Sequence, residues 1–216
     1  TWSMGNEAGD GVNMTACKQW LADNDPTRPV HYERAMCGDN TDIANVMYHS
    51  PSKIERAKNS KKPYILCEYE HAMGNSNGNA REYWDLFYAD NALQGGFVWD
   101  WMDQGVRQPV PAEFKKNIGV GPVKEDFFAY GGWWETKAKN HFTGGTGVIH
   151  DDNFCMNGLI AADWTPHPGT YAMKYMQRPI HVNVVDIKKG LFKVKNWFDF
   201  TNATQFVTGK WTIEAN

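Results

Sequence analysis

The feature that most constrains the fold is an alternation of short apolar runs with helical stripes over residues 1–104. The apolar runs have the length of strands and lie at 29–33, 43–48, 64–68 and 95–99, after a strand end at 1–4. Apolar residues recur at helical spacing between several of these runs, at 11–23, 52–59 and 80–88. Because strands that alternate with helices are typical of a parallel sheet with crossover connections, we predict an α/β fold.

Two architectures fit this alternation. A doubly wound sheet is possible, although no GxGxxG phosphate loop follows any of the strands. A (β/α)8 TIM barrel is the other option, and its active site lies at the carboxyl ends of its strands. A whole barrel typically needs about 250 residues, whereas the alternation here ends near residue 104 and begins inside a strand. We therefore expect the second half of a (β/α)8 barrel.

The sequence pattern after residue 104 changes twice, first to a loop-rich segment and then to alternating apolar residues. Residues 105–178 are rich in Gly, Pro and Asn and contain one predicted helix at 169–177. After residue 178 the apolar residues alternate with a period of two, which predicts antiparallel strands at 181–187, 191–198 and 206–214. We interpret 1–178 as a partial barrel domain and 179–216 as the beginning of an all-β sandwich domain.

The net charge and the hydropathy pattern restrict the classes of partner that the chain can have. The net charge of −3 gives no support for nucleic acid or an anionic membrane surface as a partner. No apolar run approaches the roughly 18 residues that a membrane span requires. The four cysteines form no CxxC pair, and we favour reduced, buried thiols over disulfides. Reduced thiols are compatible with a cytoplasmic location and do not exclude the periplasm.

Polar residues cluster where the apolar strands stop. Asn6-Glu7, Tyr48, Glu68 and Trp99 each end a predicted strand, and the ends of parallel strands face the same side. Two glutamates that face each other suit glycosidic bond cleavage, since one can protonate the leaving oxygen while the other attacks the sugar carbon. The acid would need a raised pKa, and the nucleophile would need hydrogen-bond donors that keep it ionised. A strand-end glutamate can equally be part of an ion pair or a helix cap.

Five motifs, in order, closely resemble the β-galactosidase family, glycoside hydrolase family 2. They are GNEAG, YILCEYEHAMGNS, LQGGFVWDWMDQ, FCMNGL and TPHP, and the resemblance covers roughly residues 1–180. It implies that the barrel part runs from the end of strand 4 to strand 8. It also implies retaining hydrolysis of terminal β-D-galactosides such as lactose, through a covalent galactosyl intermediate.

The resemblance implies a role for individual residues. Glu7 matches the family's acid/base and Glu68 its nucleophile. The residues that match substrate-binding positions are Asn6, Tyr48, His71, Trp99 and Asn157. Mg²⁺ and Na⁺ are the implied cofactors, with Glu7 as a Mg²⁺ ligand and with the Phe154 carbonyl and the Asn157 side chain as Na⁺ ligands.

The resemblance also implies partners and alternatives. We expect a homo-oligomer in the full-length protein, and we expect this chain to need the first half of the barrel, being inactive or aggregating by itself. A β-glucuronidase or β-mannosidase on the same fold is a rival, although HAMGNS and FVWDWMDQ argue against both. A non-catalytic carbohydrate-binding fragment is a rival of another class, since aromatic residues make up 14% of the chain and could stack on sugars.

Two departures from the family pattern stand out. Trp133-Trp134-Glu135 replace the Asp-Phe-Gly that we expect after Gly132. Glu70 takes the place of a small residue, and we expect its side chain to be solvated. The first departure leaves the preferred aglycone open.

Overall fold

The computed structural model describes residues 1–110, 125–129, 139–140, 149–150, 154–212 and 214, with the side chains of 139–140 and 149–150 left aside. The chain divides into two compact units, Thr1–Met173 and Lys174–Asn216. Among the described residues, no helix is long and apolar enough to cross a membrane.

The first unit is built on five parallel strands. They are β1 (Trp2–Ser3), β2 (Val30–His31), β3 (Ala44–Met47), β4 (Tyr64–Tyr69) and β5 (Leu93–Val98). β1 pairs with β2, and β3, β4 and β5 form a three-stranded sheet in that order. The helices between them are α1 (Val12–Asn24), α2 (Pro51–Ile54) with a 3-10 turn at Glu55–Ala57, and α3 (Ala80–Ala89). The predicted parallel α/β arrangement is confirmed, and the described strands do not close into a barrel.

Buried side chains connect β2 to β3 where the strands themselves are not paired. The Thr41 hydroxyl accepts a hydrogen bond from the Tyr32 amide at 3.2 Å, and the Asn45 side chain donates to the Tyr32 carbonyl at 3.0 Å. The Asp42 amide donates to the Val30 carbonyl at 2.8 Å. Thr41 and Asn45 are fully buried, so these bonds satisfy backbone groups that a strand ladder would otherwise satisfy.

Aromatic rings join α3 to β4. Tyr69, at the end of β4, lies 5.3 Å from the ring of Tyr83 and 6.1 Å from that of Phe87, both in edge-to-face geometry. Such pairs stabilise a fold by about 0.5–1.5 kcal/mol beyond their area burial. The helical stripe of Tyr83, Trp84 and Phe87 is therefore confirmed as a packing face, and it fixes the strand end that carries the candidate site.

The rest of the chain is mostly short elements. β6 (Val106–Pro109) pairs antiparallel with β7 (Asp126–Ala129), and β8 (Lys139–Asn140) pairs parallel with β9 (Ile149–His150). The predicted helix near 169–177 is confirmed as α4 (Pro168–Met176). The second unit contains a hairpin of β10 (Ile180–Asp186) and β11 (Leu191–Asn196), turned at Gly190 with a φ of +64°.

Two predictions fail in the structure. The predicted strand at 206–214 is wrong, since a 3-10 turn lies at Ala203–Gln205 and the described residues after it form no strand. A period-two pattern becomes a strand only when a neighbouring edge pairs with its backbone. The four cysteines are free thiols, but Cys17 and Cys37 are exposed, so the predicted burial is wrong for those two.

Candidate active site

The candidate site lies where the parallel strands end. The Tyr48 amide, after β3, donates to the Glu68 carbonyl in β4 at 2.8 Å. The Trp99 amide, after β5, donates to the Tyr69 carbonyl at 3.0 Å. These backbone bonds place Tyr48, Glu68 and Trp99 side by side at one edge of the sheet, as the strand-end pattern predicts.

Opposing influences act on the Glu68 carboxyl. Burial raises its pKa above the usual value, and the charges of Glu7 and Glu33 add to the rise. A hydrogen bond from the Tyr48 hydroxyl lowers the pKa again. The Tyr48 pKa is itself raised, first by burial and then by this bond to Glu68. Tyr48 therefore stays protonated and donates, which is what an ionised nucleophile at this position requires.

Glu7 approaches the same edge from β1. It follows β1 in an exposed loop, next to the exposed Asn6, and its backbone adopts the left-handed φ of +49°. Its amide donates to Oε2 of Glu33 at 3.0 Å. The Glu7 charge raises the pKa of Glu68, so the two glutamates lie close enough for their charges to interact.

Glu33 is a third carboxylate at this edge, and the sequence analysis missed it. It follows β2, is 6% exposed, and lies 3.3 Å from the Arg34 guanidinium through Oε1. Burial, and after it the charge of Glu33, raises the pKa of the Cys67 thiol to about 11. The predicted strand at 29–33 ends at Glu33, so the strand-end pattern that selects Glu7 and Glu68 could have selected Glu33 as well.

His71 lies between two aromatic rings at the rim of the site. Its ring centroid is 6.1 Å from that of Tyr48 and 5.5 Å from that of Phe154. The His71 Nε2 is buried and has no hydrogen-bond partner among the described residues. A buried ring nitrogen without a partner is costly, so a ligand hydroxyl here would satisfy it.

The predicted contacts Trp99 and Asn157 touch each other. Asn157 is 1% exposed, and in the orientation that satisfies both ends of its amide, the oxygen accepts from Trp99 Nε1 at 3.0 Å and the nitrogen donates to the Cys155 carbonyl at 3.1 Å. The Asp100 amide donates to the Asn157 carbonyl at 2.7 Å. The segment around Asn157 thus orients the Trp99 indole.

The sequence profile described as "Glycosyl hydrolases family 2, TIM barrel domain" matches residues 1–182 of this chain. The chain belongs to glycosyl hydrolase family 2. Membership supports a TIM-barrel fold, and the parallel strands and intervening helices of the first unit agree with it.

Curated relatives in family 2 share much of this sequence. A "Beta-galactosidase" of Priestia megaterium (strain DSM 319 / IMG 1521) is 41% identical over 222 residues, covering 100% of this chain and 19% of the relative. One of Actinobacillus pleuropneumoniae is 36% identical and covers 96% of the chain, again with 19% of the relative. This chain therefore spans about a fifth of the length of these relatives.

Among solved structures, a family 2 β-galacturonidase from Eisenbergiella tayi bound to galacturonate overlaps with a TM-score of 0.44 at 11% identity. The overlap covers 81% of this chain and 32% of the other. A likeness at this level decides neither fold nor substrate.

Glu70, which departs from the family 2 pattern, is buried. The expectation of a solvated side chain is therefore wrong. Glu70 is 8% exposed, has a φ of +53°, and its Oε2 has no partner among the described residues. The left-handed backbone turns the side chain into the protein, where burial and the charge of Glu82 raise its pKa to about 7. The other departure, Trp133-Trp134-Glu135, lies outside the described residues.

The implied metal ligands can be tested against this family 2 site. A carboxylate, a backbone carbonyl and an amide oxygen are the donors that Mg²⁺ and Na⁺ accept, so Glu7, Phe154 and Asn157 suit these ions in chemical type. Across the described ranges, no three His, Cys, Asp or Glu side chains group closely enough to hold a metal. The residues thus fit as contributors to a coordination shell and do not complete one.

Proposed function

We propose that this chain carries the two catalytic carboxylates of a retaining β-galactosidase. The observation that carries the proposal is the strand-end grouping of Glu68, its hydrogen-bond donor Tyr48, and the second carboxylate Glu7. The β-galactosidase names of the 41% and 36% identical relatives support the choice of sugar.

The reaction follows from the two carboxylates. The Glu68 oxygen attacks the anomeric carbon, the bond from that carbon to the aglycone oxygen breaks, and Glu7 donates a proton to this oxygen. Glu7 then accepts a proton from water, the water oxygen bonds to the anomeric carbon, and the ester to Glu68 breaks. Two inversions give a product of retained configuration, with one water consumed and both carboxyl groups returned to their starting states.

Neighbouring side chains have supporting parts. The Tyr48 hydroxyl keeps Glu68 ionised before the attack. The Nε2 of His71, which has no hydrogen-bond partner among the described residues, can bond a sugar hydroxyl, as can the side chain of the exposed Asn6. Asn157 is the further proposed substrate contact. Trp99, held through its Nε1, offers an apolar ring face on which the sugar can stack.

We also propose that the chain supplies barrel strands 4 to 8, followed by the start of a β-sandwich that includes β10 and β11. The proposal agrees with the five parallel strands and with the fraction of the relatives that the chain spans. The first half of the barrel would come from the complete polypeptide, for which a homo-oligomer is our working proposal.

Mg²⁺ and Na⁺ belong to the same proposal. Glu7 would contribute a carboxylate to Mg²⁺, while the Phe154 carbonyl and the Asn157 side-chain oxygen would contribute to Na⁺. Such cations neutralise carboxylate charge and orient hydroxyl groups. Asn157 already accepts from Trp99, and its oxygen has a second lone pair for the ion.

The test is hydrolysis of a chromogenic β-galactoside by the polypeptide expressed from the complete coding sequence. We expect Glu68→Gln to lower kcat by several orders of magnitude while binding survives. Glu55→Gln is the matched control and should leave kcat unchanged, because Glu55 is exposed and forms an ion pair with Lys58, three residues along the chain.

Three outcomes would contradict the proposal. Full activity of the Glu68→Gln variant would show that Glu68 is not the nucleophile. Preference for a β-glucuronide or a β-mannoside would change the substrate class. If the wild type binds the sugar but does not hydrolyse the galactoside, the chain is part of a carbohydrate-binding protein.

A further inference from the structure

The loop that carries Glu7 is anchored by the residues that follow β2. The Tyr32 hydroxyl donates to the Gly9 carbonyl at 2.8 Å, and Tyr32 is fully buried. The next residue, Glu33, accepts the Glu7 amide at 3.0 Å. Two consecutive side chains at the end of one strand thus hold the backbone that leaves the neighbouring strand.

Glu33 is an unusual group for a purely structural anchor. It is a carboxylate with 6% of its surface exposed, and the cost of burying such a charge is several kcal/mol unless partners compensate it. Its partners are the Arg34 guanidinium at Oε1 and the Glu7 amide at Oε2. One of the two oxygens is therefore committed to the main chain of the proposed acid/base.

The backbone of Glu7 needs such support. Its φ of +49° lies in the left-handed region, which is sterically unfavourable for a residue with a side chain. A hydrogen bond between an amide and a carboxylate is about twice as strong as a neutral one and is directional. Holding the Glu7 amide in one direction also fixes the direction in which its Cα–Cβ bond leaves the loop.

We propose that Glu33 is a positioning residue for the acid/base, aiming the Glu7 carboxyl through its hydrogen bond to the Glu7 amide. The inference rests on the proposed function of Glu7. Glu33 acts on Glu7 through the main-chain amide, so its effect on positioning should appear in the step that needs a well-placed proton.

The dependence of kcat/KM on the leaving group reports on the protonation of the departing oxygen. A phenyl galactoside needs a proton on its departing oxygen, whereas a 2,4-dinitrophenyl galactoside leaves as a stable anion and does not. In both cases kcat/KM reports the first bond cleavage. A misplaced acid therefore lowers kcat/KM for the phenyl substrate selectively, while general damage to the fold lowers both alike.

The experiment measures kcat/KM for both substrates with the complete polypeptide and three variants. Glu33→Ala removes the acceptor, and Glu33→Asp keeps the charge but shortens its reach. For both we expect the phenyl substrate to lose at least about tenfold more than the dinitrophenyl substrate. Glu33→Gln keeps an acceptor oxygen at the same reach, so the difference between substrates should shrink to a few-fold.

Glu55→Ala is the control, because Glu55 is exposed and remote in sequence from every strand end, and both substrates should be unaffected. Should Glu33→Ala fail to fold, the Asp and Gln variants carry the same comparison. Equal losses on both substrates in all three variants would overturn the proposal. A wild type without activity on either substrate would overturn the proposed function instead.

Discussion

The ionisation of Glu68 depends on one hydroxyl. Burial and two nearby carboxylates raise the Glu68 pKa, and the Tyr48 hydrogen bond is the largest influence that opposes them. Only the ionised carboxylate can attack the sugar. The Tyr48 hydroxyl is therefore expected to extend the pH range over which the proposed nucleophile is ionised towards acid.

Removing that hydroxyl should move the pH profile. In Tyr48→Phe the Glu68 pKa rises further, so the acidic limb of kcat/KM should shift to higher pH by about one unit, the size expected for one hydrogen bond to a charged group. The measurement is the pH dependence of galactoside hydrolysis. Tyr171→Phe, at an exposed tyrosine, is the control. An unmoved acidic limb in Tyr48→Phe would contradict the assigned bond.

The free energy of unfolding should depend on pH because of the buried Glu70 carboxyl. Its folded pKa of about 7 lies above the ordinary 4.5, so the protein loses stability as pH rises between these values, because the folded state must then hold a buried charge. The loss is on the order of 3 kcal/mol. Glu70→Gln removes the charge and should raise the unfolding temperature at about pH 8 but not at about pH 4.

The matched control for Glu70 is Glu55→Gln, which changes an exposed carboxyl and should leave both unfolding temperatures as they are. Equal stabilisation of Glu70→Gln at both pH values would show that its charge is not the cause. The sequence alone does not predict this buried carboxyl, because the left-handed turn at Glu70 decides where the side chain points.

At the scale of elements, the loop after β5 is fixed by the segment around Asn157. The Asp103 carboxylate accepts the Gly158 amide at 2.7 Å and pairs with His167 at 3.0 Å. A Cβ on Gly158 would lie 2.1 Å from the Asp103 amide nitrogen. Close backbone approach at Gly158 thus sets the position of Trp99 and Asn157 relative to each other.

Gly158→Ala should force these two segments apart. Overpacking of this kind costs typically 1–3 kcal/mol, and here the clash is with backbone, so we expect at least the upper end and a reduced affinity for sugar as well. Unfolding in denaturant and KM for a galactoside measure the two effects. Gly78→Ala, where an added Cβ meets nothing within 4 Å, is the control. Unchanged stability and KM in Gly158→Ala would contradict the close approach of Gly158 to the Asp103 backbone.

Element prediction succeeded where the pattern was local and failed where pairing was needed. The unbroken apolar run at 64–68 predicts β4, and the apolar stripe at 80–88 predicts α3, because each pattern is local in sequence. The run at 206–214 alternates equally well, yet Phe206 and Trp211 are exposed and no strand forms in its described residues. Which edge a strand pairs with is a long-range property that the alternation does not contain.

At the scale of the whole molecule, the hairpin in the second unit has two unlike faces. One carries Val182 paired with Val194 and Val184 paired with Phe192, all of them exposed. The opposite face carries polar pairs such as Asn183 with Lys193. An apolar face of this kind, left open, promotes association.

The 216-residue chain by itself should therefore self-associate. Replacing Val182 and Val194 together by Thr should reduce the associated fraction, because it makes the apolar face polar without changing the β-branched shape. Asn183→Thr on the opposite face is the control. Light scattering after size-exclusion chromatography gives the mass. A monodisperse monomer of the unmodified chain would contradict the prediction.

In the proposed mechanism, Glu68 forms a covalent bond to galactose at the end of β4. The most direct measurement treats the complete polypeptide with a 2-deoxy-2-fluoro-galactoside that has a dinitrophenyl leaving group, followed by mass spectrometry of its peptides. The fluorine slows release of the ester, so the intermediate accumulates. We predict one fluorogalactosyl group on the peptide that contains Glu68, and none in Glu68→Gln. A label on another residue, or inactivation without any label, would contradict the account.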